Sequence, residues 1–442
     1  MANINRGLSS SQIIILGFAA LILLGSLLLM LPFATQSGQG ASFFDALFTS
    51  TSAVCVTGLV IHDTATYWST FGHIIIITLI QIGGMGIVTV AVAVFVLSGK
   101  RIGLKQRSTM QEAISAHKVG GIVRLTGFIV RTALLIELIG ALIMAPSFIK
   151  EFGTLKGIWY ALFHSVSAFC NAGFDLMGVK SPFSSVTYFA GNPFINFTII
   201  ALIVVGGIGF MTWEDIKTNK LRIREYRMQS KVILSTTLAL ILLPAIYFYF
   251  LEFSDMPLNK RIWSSLFQSV TPRTAGFNVV DLTKISEVGS AITILLMLIG
   301  GSPGSTAGGM KTTTLAVMLS TMVSVFQRRE HTHFFGRRVN EDTIRSAATV
   351  LMMYITLFLT GGLIISRVEG LPLLSCLYET ASAIGTVGLS LGITPGLGII
   401  SKIILILLMY IGRVGGLTLI FSTLSASRGN TSRLPQEKIT VG

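Results

Sequence analysis

Charged residues are scarce in this sequence. Asp, Glu, Lys and Arg together make up 12% of its 442 residues, whereas hydrophobic residues make up 52%. Soluble domains carry about 25% charged residues, so water is not the main solvent of this chain. Long apolar runs are present instead, and each reaches the roughly 17 to 25 residues needed to cross a bilayer as a helix. They are residues 11–31, 73–97, 123–146, 194–212, 232–251, 348–366 and 401–421, with an eighth run, 291–326, that is broken in its middle.

Cysteine is also rare, and no group of His and Cys residues has the spacing of a metal site. Cys55, Cys170 and Cys376 are the three cysteines, and no CxxC pair occurs. This pattern indicates neither a disulfide framework nor a metal centre. A polytopic membrane enzyme would need His, Asp or Glu residues that converge near one face, and the repeats described below supply none. We therefore expect no enzyme, no catalytic residues and no cofactor of the chain's own.

The net charge of +14 is distributed unevenly along the chain. When the loops are assigned alternately to the two sides of a membrane, 22 of the 33 Lys and Arg residues fall on the side of the amino terminus. An excess of Lys and Arg marks the cytoplasmic side, so both termini are predicted to be cytoplasmic. The basic segments 100–107, 217–227 and 328–338 are therefore read as topology signals, and a nucleic-acid partner is not expected.

Four segments of similar sequence recur along the chain. Each has an apolar residue, an aromatic residue, a small polar stretch and a closing glycine. They are LFTSTSAVCVTG (47–58), LFHSVSAFCNAG (162–173), LFQSVTPRTAG (266–276) and LYETASAIGTVG (377–388). Their closing glycines are 115, 103 and 112 residues apart. A fixed period of this kind indicates a fourfold internal repeat.

A glycine-rich signature follows each segment inside the next apolar run, at 83–86, 206–209, 300–304 and 412–415. The repeating unit is thus a long apolar helix, a segment of about a dozen residues and a second apolar helix. Segments this short cannot span a bilayer, so we predict that they are re-entrant. The alternative is that they are external amphipathic loops. Their richness in Ser, Thr and Ala favours tight packing and argues against that alternative.

Four such segments would converge on one axis and direct the negative ends of their helix dipoles toward it, which favours a cation there. The residues before each closing glycine would offer backbone carbonyl oxygens that replace the hydration shell of an alkali ion. The predicted lining residues are Cys55, Val56, Thr57 and Gly58; Cys170, Asn171, Ala172 and Gly173; Arg273, Thr274, Ala275 and Gly276; and Gly385, Thr386, Val387 and Gly388. They include no carboxylate, which favours K⁺, with leakage of Na⁺ or Rb⁺, over a divalent cation.

In these features the sequence resembles the Trk/Ktr/HKT superfamily of K⁺ uptake proteins, and the short amino terminus resembles the KtrB-type subunit. The resemblance covers residues 10–425. It implies an all-α polytopic membrane protein with four pseudo-symmetric helix, pore-loop, helix repeats around one central pore, which serves as a selectivity filter. The implied repeats are 1–100 with pore loop 43–58, 101–222 with pore loop 159–173, 223–335 with pore loop 262–276, and 336–425 with pore loop 374–388, followed by a cytoplasmic tail, 426–442.

The second helix of the third repeat contains the run GGSPGSTAGGMKTTT at 300–314. Its five glycines and one proline cannot sustain a helix, so an interruption is predicted. It is not a P-loop, because Met310 separates the glycine from Lys311 and an apolar helix precedes it. The resemblance implies an intramembrane gating loop below the filter, whereas a packing kink is the alternative. The gate residues would be Gly304, Ser305, Thr306, Ala307, Gly308, Gly309 and Lys311.

Two charged residues are expected at membrane depth. Arg413 replaces the second glycine of the fourth signature, and a charge near the bilayer centre costs about 2.5 to 3.5 kcal/mol. We expect it to face the pore and lower cation occupancy, or to bond to the loop carbonyls around Gly308. Glu137 is expected to pair with Arg131 or with groups near Arg413.

The resemblance also implies partners. KtrB-type subunits form homodimers that dock on a cytosolic ring of RCK subunits, the KtrA-type proteins, which bind ATP or ADP, and Na⁺ stimulates uptake. The basic loops 100–120 and 327–345 and the tail 428–442 are candidate docking surfaces, which anionic lipid would also attract. The expected location is the bacterial plasma membrane. A secondary transporter of another solute that uses broken helices is the alternative function, although fourfold repetition disfavours it.

Overall fold

The structure is a computed structural model that describes residues 9–91, 103, 108–112 and 121–415. These residues are mostly helical. The longer helices, numbered in chain order, are α1 (Ser10–Leu29), α2 (Phe43–Val54), α3 (Thr70–Met85), α4 (Ile122–Phe152), α5 (Thr154–Phe169), α6 (Pro193–Gly207), α7 (Phe210–Asn219), α8 (Met228–Tyr247), α9 (Leu258–Val270), α10 (Glu287–Leu298), α11 (Thr312–Phe326), α12 (Glu341–Glu369), α13 (Leu373–Gly385) and α14 (Ile399–Val414). Two short antiparallel strands, β1 (His333–Phe334) and β2 (Arg337–Arg338), form a hairpin.

Four units of one design build the fold. Each begins with a long helix (α1, α4, α8, α12), continues with a short helix (α2, α5, α9, α13) and returns through a second helix (α3, α6, α10, α14). The long helix packs against the short helix of its own unit. The second helix also packs against the short helix of the next unit, in the pairs α3 with α5, α6 with α9, α10 with α13, and α14 with α2. The last pair joins the fourth unit to the first, so the units form a closed ring.

The long helices present apolar side chains on the outside of this ring. Four helical stretches are long and apolar enough to cross a membrane, namely Ser10–Leu29, Ile122–Phe152, Met228–Glu252 and Glu341–Glu369. At most 33% of the apolar window of each is buried inside the protein. Leu142 and Leu243, for example, are 64% and 69% exposed. Apolar surface of this extent is stable in lipid and not in water, as expected for a multi-pass membrane protein.

The second helices are interrupted, and the prediction of continuous spans at 73–97, 194–212 and 401–421 is wrong. Helices α3, α6 and α14 each stop within the glycine signature, and α6 meets α7 at an angle of 96°. The breaks lie at Gly86, Gly209 and Gly415, where φ is 86°, 90° and 88°. A right-handed helix cannot continue through a left-handed residue. Residues 92–97 and 416–421 of these runs lie outside the described ranges.

In the third unit the interruption is longer. Helix α10 ends at Leu298 and α11 begins at Thr312, and residues 299–311 between them form what we call the intramembrane loop. The ends of this loop are held together, because the N–H of Gly300 donates to the carbonyl of Met310 at 2.7 Å. The loop therefore projects as a closed hairpin from the end of α10.

Candidate functional site

The segment at the end of each short helix, which we call the first to fourth strand (55–58, 170–173, 273–276 and 385–388), reverses direction through left-handed backbone at two positions. The closing glycines have φ between 67° and 93°. Two residues before each glycine stands a non-glycine residue with φ between 51° and 69°. These residues are Val56, Asn171, Thr274 and Thr386. Left-handed conformations are uncommon for non-glycine residues, so their recurrence at one position of all four units reflects a shared tertiary constraint.

The four closing glycines meet in a ring, which we call the glycine ring (Gly58, Gly173, Gly276 and Gly388). A Cβ atom placed on Gly173 would lie 2.7 Å from the carbonyl oxygen of Ala275. A Cβ atom on Gly58, Gly276 or Gly388 would likewise overlap a carbonyl oxygen of the next unit. These oxygens belong to Ala172, Val387 and Thr57, respectively. Each glycine thus touches the residue before the glycine of the next unit, and the fourth touches the first. No side chain fits at these positions without displacing a neighbouring strand.

All sixteen predicted lining residues lie in this central region and are buried, apart from the half-buried Gly388. The Arg273 side chain in the third strand reaches Thr237 on α8, where Nη2 donates to Oγ1 at 3.2 Å. The Nε atom of Arg273 has no partner among the described residues. Neither Cys55 nor Cys170 forms a disulfide, and both thiols are fully buried. The structure therefore brings the four predicted strands together.

A hydroxyl group near the end of each short helix is hydrogen-bonded to the backbone at the closing glycine or at the residue after it. Ser52 and Ser382 accept hydrogen bonds from the N–H groups of Gly58 and Gly388, at 3.0 and 2.9 Å. In the other two units the hydroxyls of Ser167 and Thr271 donate to the carbonyls of Phe174 and Phe277, at 2.7 and 2.5 Å. From the sequence we expected these hydroxyl residues to favour tight packing, and we did not predict these hydrogen bonds. A Ser or Thr five or six residues before each closing glycine is the signal that could have indicated it.

A cavity of about 500 Å³ adjoins the glycine ring, on the side of the residues that follow each closing glycine. All four ring glycines line it, together with the carboxylate residues Asp63, Asp175 and Asp281. Among the described residues no Lys or Arg lines it. Burial raises the pKa of Asp175 to about 7, and Asp63 acts in the same direction. We call this space the outer cavity, and its negative charge favours cations at the ring.

The intramembrane loop lies at the opposite end of the four strands. The N–H of Ser302 donates to the carbonyl of Gly207 at 2.9 Å, and the hydroxyl of Thr306 donates to the carbonyl of Phe169 at 3.1 Å. The N–H of Gly309 donates to the carbonyl of Gly412 at 3.1 Å. Phe169 is the last residue of α5, directly before the second strand. The loop thus covers the ends of the strands that are remote from the outer cavity.

Two cationic side chains hold this loop. Lys311 donates to the carbonyls of Ala307 and Gly308, at 3.0 and 3.3 Å. Arg413 donates through Nη1 to the carbonyl of Thr306 and through Nη2 to the carbonyls of Gly83 and Gly84. Arg413 therefore connects the loop of the third unit to the second helix of the first unit.

Arg131, one of the two partners expected for Glu137, is wrong. Its two carboxylate oxygens accept from Nε2 of Gln81, at 2.9 and 3.1 Å. Arg131 lies six residues earlier on α4, which is about 240° around the helix, so it faces away from Glu137. Its side chain is exposed, whereas Glu137 is 3% exposed. The guanidinium of Arg413 is bonded to backbone carbonyls instead.

Comparison with known proteins decides the family. A family model described as TrkH, cation transport protein, matches residues 8–427. The chain belongs to this TrkH family of cation transport proteins. Members of this family are transporters and not enzymes, in agreement with the prediction from the sequence.

Relatives in the TrkH family cover nearly the whole chain. The chain is 40% identical to the potassium/sodium uptake protein NtpJ of Enterococcus hirae, over 99% of this chain and 98% of the relative. It is 38% identical to the Ktr system potassium uptake protein B of Bacillus subtilis, over 98% of this chain and 96% of the relative. The crystal structure of the potassium transporter TrkH from Vibrio parahaemolyticus is similar with a TM-score of 0.75 and 20% identity, over 96% of this chain and 87% of that chain. At that identity the structure supports the fold alone.

Proposed function

We propose that this chain is the ion-translocating membrane subunit of a potassium uptake system, in which K⁺ passes through the glycine ring. The observation that carries the proposal is the closed contact of the four ring glycines around one axis, with a carboxylate-lined cavity on one side. The names of the relatives from Enterococcus hirae and Bacillus subtilis, both of which refer to potassium uptake, support it.

The ligands that this site can offer to an ion are uncharged oxygens, namely the backbone carbonyls and the hydroxyls of Thr57 and Thr386, which have no hydrogen-bond partner among the described residues. The four strands contain no carboxylate, and the neighbouring hydroxyls of Ser52 and Ser382 are occupied by backbone N–H groups. Rings of carbonyl oxygens can replace the hydration shell of K⁺. A divalent cation would need acidic ligands to offset its larger dehydration cost. The three aspartates of the outer cavity instead raise the local cation concentration without holding the ion in the ring.

The intramembrane loop is the proposed gate. It bonds to the second and fourth units directly and to the first unit through Arg413, so it can block the path only while these contacts hold. Its proposed gate residues are those from Gly304 to Gly309 together with Lys311. A loop of this composition has little intrinsic structure, so a few hydrogen bonds decide its position.

Regulation is proposed to come from partner subunits. We expect a homodimer in the bacterial plasma membrane, with both termini cytoplasmic, docked on an RCK ring that binds ATP or ADP, and with Na⁺ as activator. The name of the Bacillus subtilis relative, which refers to a Ktr system, supports a multi-component assembly. The candidate docking segment 327–345 contains the hairpin of β1 and β2, which exposes Arg337 and Arg338. Most of segment 100–120 and the whole tail 428–442 lie outside the described residues.

The test is substitution of a ring glycine. In Gly58→Ser the new Cβ would overlap the carbonyl of Ala172, at a residue whose φ is 91°, so the strands must separate. We expect the ratio of K⁺ to Na⁺ uptake to fall in a bacterium that lacks its own K⁺ uptake systems. Gly38→Ser is the matched control, because Gly38 has φ of 71° and no atom within 4 Å of its Cβ position. If Gly58→Ser and Gly276→Ser both keep the original selectivity, the proposal is wrong and a carrier of another solute is favoured.

A further inference from the structure

One position of the four short helices carries a different polar residue in each unit. It lies nine residues before the closing glycine in the first, second and fourth units and eight residues before it in the third. The residues are Thr49, His164, Gln268 and Glu379, and none of them is more than 2% exposed. A buried polar side chain is costly unless it is hydrogen-bonded. The partners of these four residues therefore indicate what the position does.

His164 is bonded at both of its ring nitrogens. Nε2 accepts from the backbone N–H of Leu176 at 3.3 Å, and Nδ1 faces the carbonyl of Tyr160 at 2.7 Å. Because Nε2 must accept, the proton lies on Nδ1 and the ring is neutral. The ring of Phe148 stacks on it, with the centroids 5.1 Å apart. His164 thus connects the short helix α5 to Leu176, the third residue after Gly173, through a hydrogen bond.

Glu379 makes the equivalent contact in the fourth unit. Its carboxylate accepts from the hydroxyls of Ser390 and Thr394, the latter at 2.8 Å. Ser390 is the second residue after Gly388, and Leu176 is the third after Gly173. Two units therefore use the same helix position to hold the chain just beyond the ring, one through an imidazole and one through a carboxylate.

The other two units lack this contact. Oε1 of Gln268 has no partner among the described residues, and its Nε2 lies 3.4 Å from the hydroxyl of Thr293 on α10. Within the described chain the Thr49 side chain makes no hydrogen bond. Since the ring runs in the order of the units, the two anchored strands face each other across the axis.

We propose that His164 and Glu379 are positioning residues that anchor the outer ends of two opposite strands and thereby set the K⁺ affinity and the K⁺ to Na⁺ selectivity of the glycine ring. This inference rests on the proposed function. The anchored residues begin three positions beyond the ring in the second unit and two positions beyond it in the fourth, and Ser390 itself lines the outer cavity. An anchored end keeps the carbonyl oxygens of its strand at a fixed distance from the axis. Without the anchor the strand can move toward a smaller ion, so Na⁺ is rejected less well.

The experiment compares variants that remove the acceptor with variants that keep one. His164→Phe preserves the stacking on Phe148 and removes both nitrogens, and Glu379→Leu removes both carboxylate oxygens. For each we expect the KM for K⁺ to rise about tenfold and the K⁺ to Na⁺ ratio to fall, because a buried hydrogen bond changes an equilibrium by about that factor. His164→Gln and Glu379→Gln retain an acceptor oxygen and should recover most of the affinity. Thr49→Val, the isosteric change in an unanchored unit, should behave as the wild type.

The assay is K⁺ and Na⁺ uptake by the full chain with its native partner subunits, corrected for the amount in the membrane. Wild-type KM and selectivity in His164→Phe and Glu379→Leu, or equal defects in the Gln variants, would overturn the inference. If the Leu variant does not reach the membrane, Ser390→Ala removes one donor at the edge of the outer cavity. A raised KM there supports the anchor, and an unchanged KM contradicts it for the fourth unit.

Gly276→Ser, measured in the same series, separates this inference from the proposed function. Altered selectivity in Gly276→Ser with none in the His164 and Glu379 variants rejects the anchors alone. Unaltered selectivity in both Gly276→Ser and Gly58→Ser rejects the potassium pathway itself.

Discussion

Arg413→Ala is expected to raise K⁺ flux through the isolated chain. The guanidinium bonds to the carbonyl of Thr306 in the intramembrane loop and to the carbonyls of Gly83 and Gly84 in the first unit. Alanine removes this bridge between the loop and α3. The loop keeps its bonds to Gly207 and Gly412, so it should become displaced more often without unfolding.

The size of the expected rise in K⁺ flux follows from the one hydrogen bond that Arg413 makes to the loop, at the carbonyl of Thr306. A hydrogen bond from a charged donor contributes about 1.5 to 3 kcal/mol. Its loss should shift the ratio of displaced to seated loop by about 10- to 150-fold, since each 1.4 kcal/mol is a factor of ten. Removal of the positive charge acts in the same direction, because a cation then meets less repulsion below the strands.

The measurement is K⁺ flux into liposomes containing the purified chain, at several fixed membrane potentials. Arg413→Lys separates the two causes: it keeps the charge and loses the planar fork that reaches three carbonyls. Arg131→Ala, on the exposed face of α4, is the control for loss of one arginine. Unchanged flux and unchanged voltage dependence in Arg413→Ala would refute the bridge as a restraint on the loop.

Three further predictions concern other parts of the site. Lys311→Met should raise flux in the same liposome assay, because it removes the bonds to Ala307 and Gly308; flux equal to the wild type contradicts this. The KM for K⁺ should rise as pH falls through about 7, because protonation of Asp175 removes a negative charge from the outer cavity, and Asp175→Asn should abolish most of this dependence. Ser52→Ala should lower the free energy of unfolding by about 1 kcal/mol, since the N–H of Gly58 loses its acceptor; an unchanged thermal midpoint counts against it.

The fourfold design could be predicted from the sequence because it depends on period and apolar length. Segments of about a dozen residues cannot cross a bilayer, and four closing glycines at a regular spacing indicate a shared tight contact. The ring contacts between these glycines agree with that reasoning. The filter and gate roles of the residues remain predictions.

The breaks in the second helices could not be predicted from hydropathy. The residues around Gly209 are apolar, so the run 194–212 resembles one span. The break depends on the intramembrane loop, since a Cβ on Gly209 would lie 2.6 Å from the carbonyl of Pro303. The partner of Glu137 was missed for a related reason, because Gln81 is 56 residues away and no local pattern joins them. Contacts between units decide these features.

The bend at Gly209 links the loop mechanically to the opposite end of α7. The N–H of Phe210, the first residue of α7, donates to the carbonyl of Gly304 at 2.7 Å. Nine residues later the helix ends at Asn219, in the basic segment 217–227, where Arg227 pairs with Glu214 at 3.0 Å. An α-helix is stiff along its axis, and the first residue of α7 is hydrogen-bonded to Gly304. One helix therefore connects the basic segment to Gly304, in the middle of the loop.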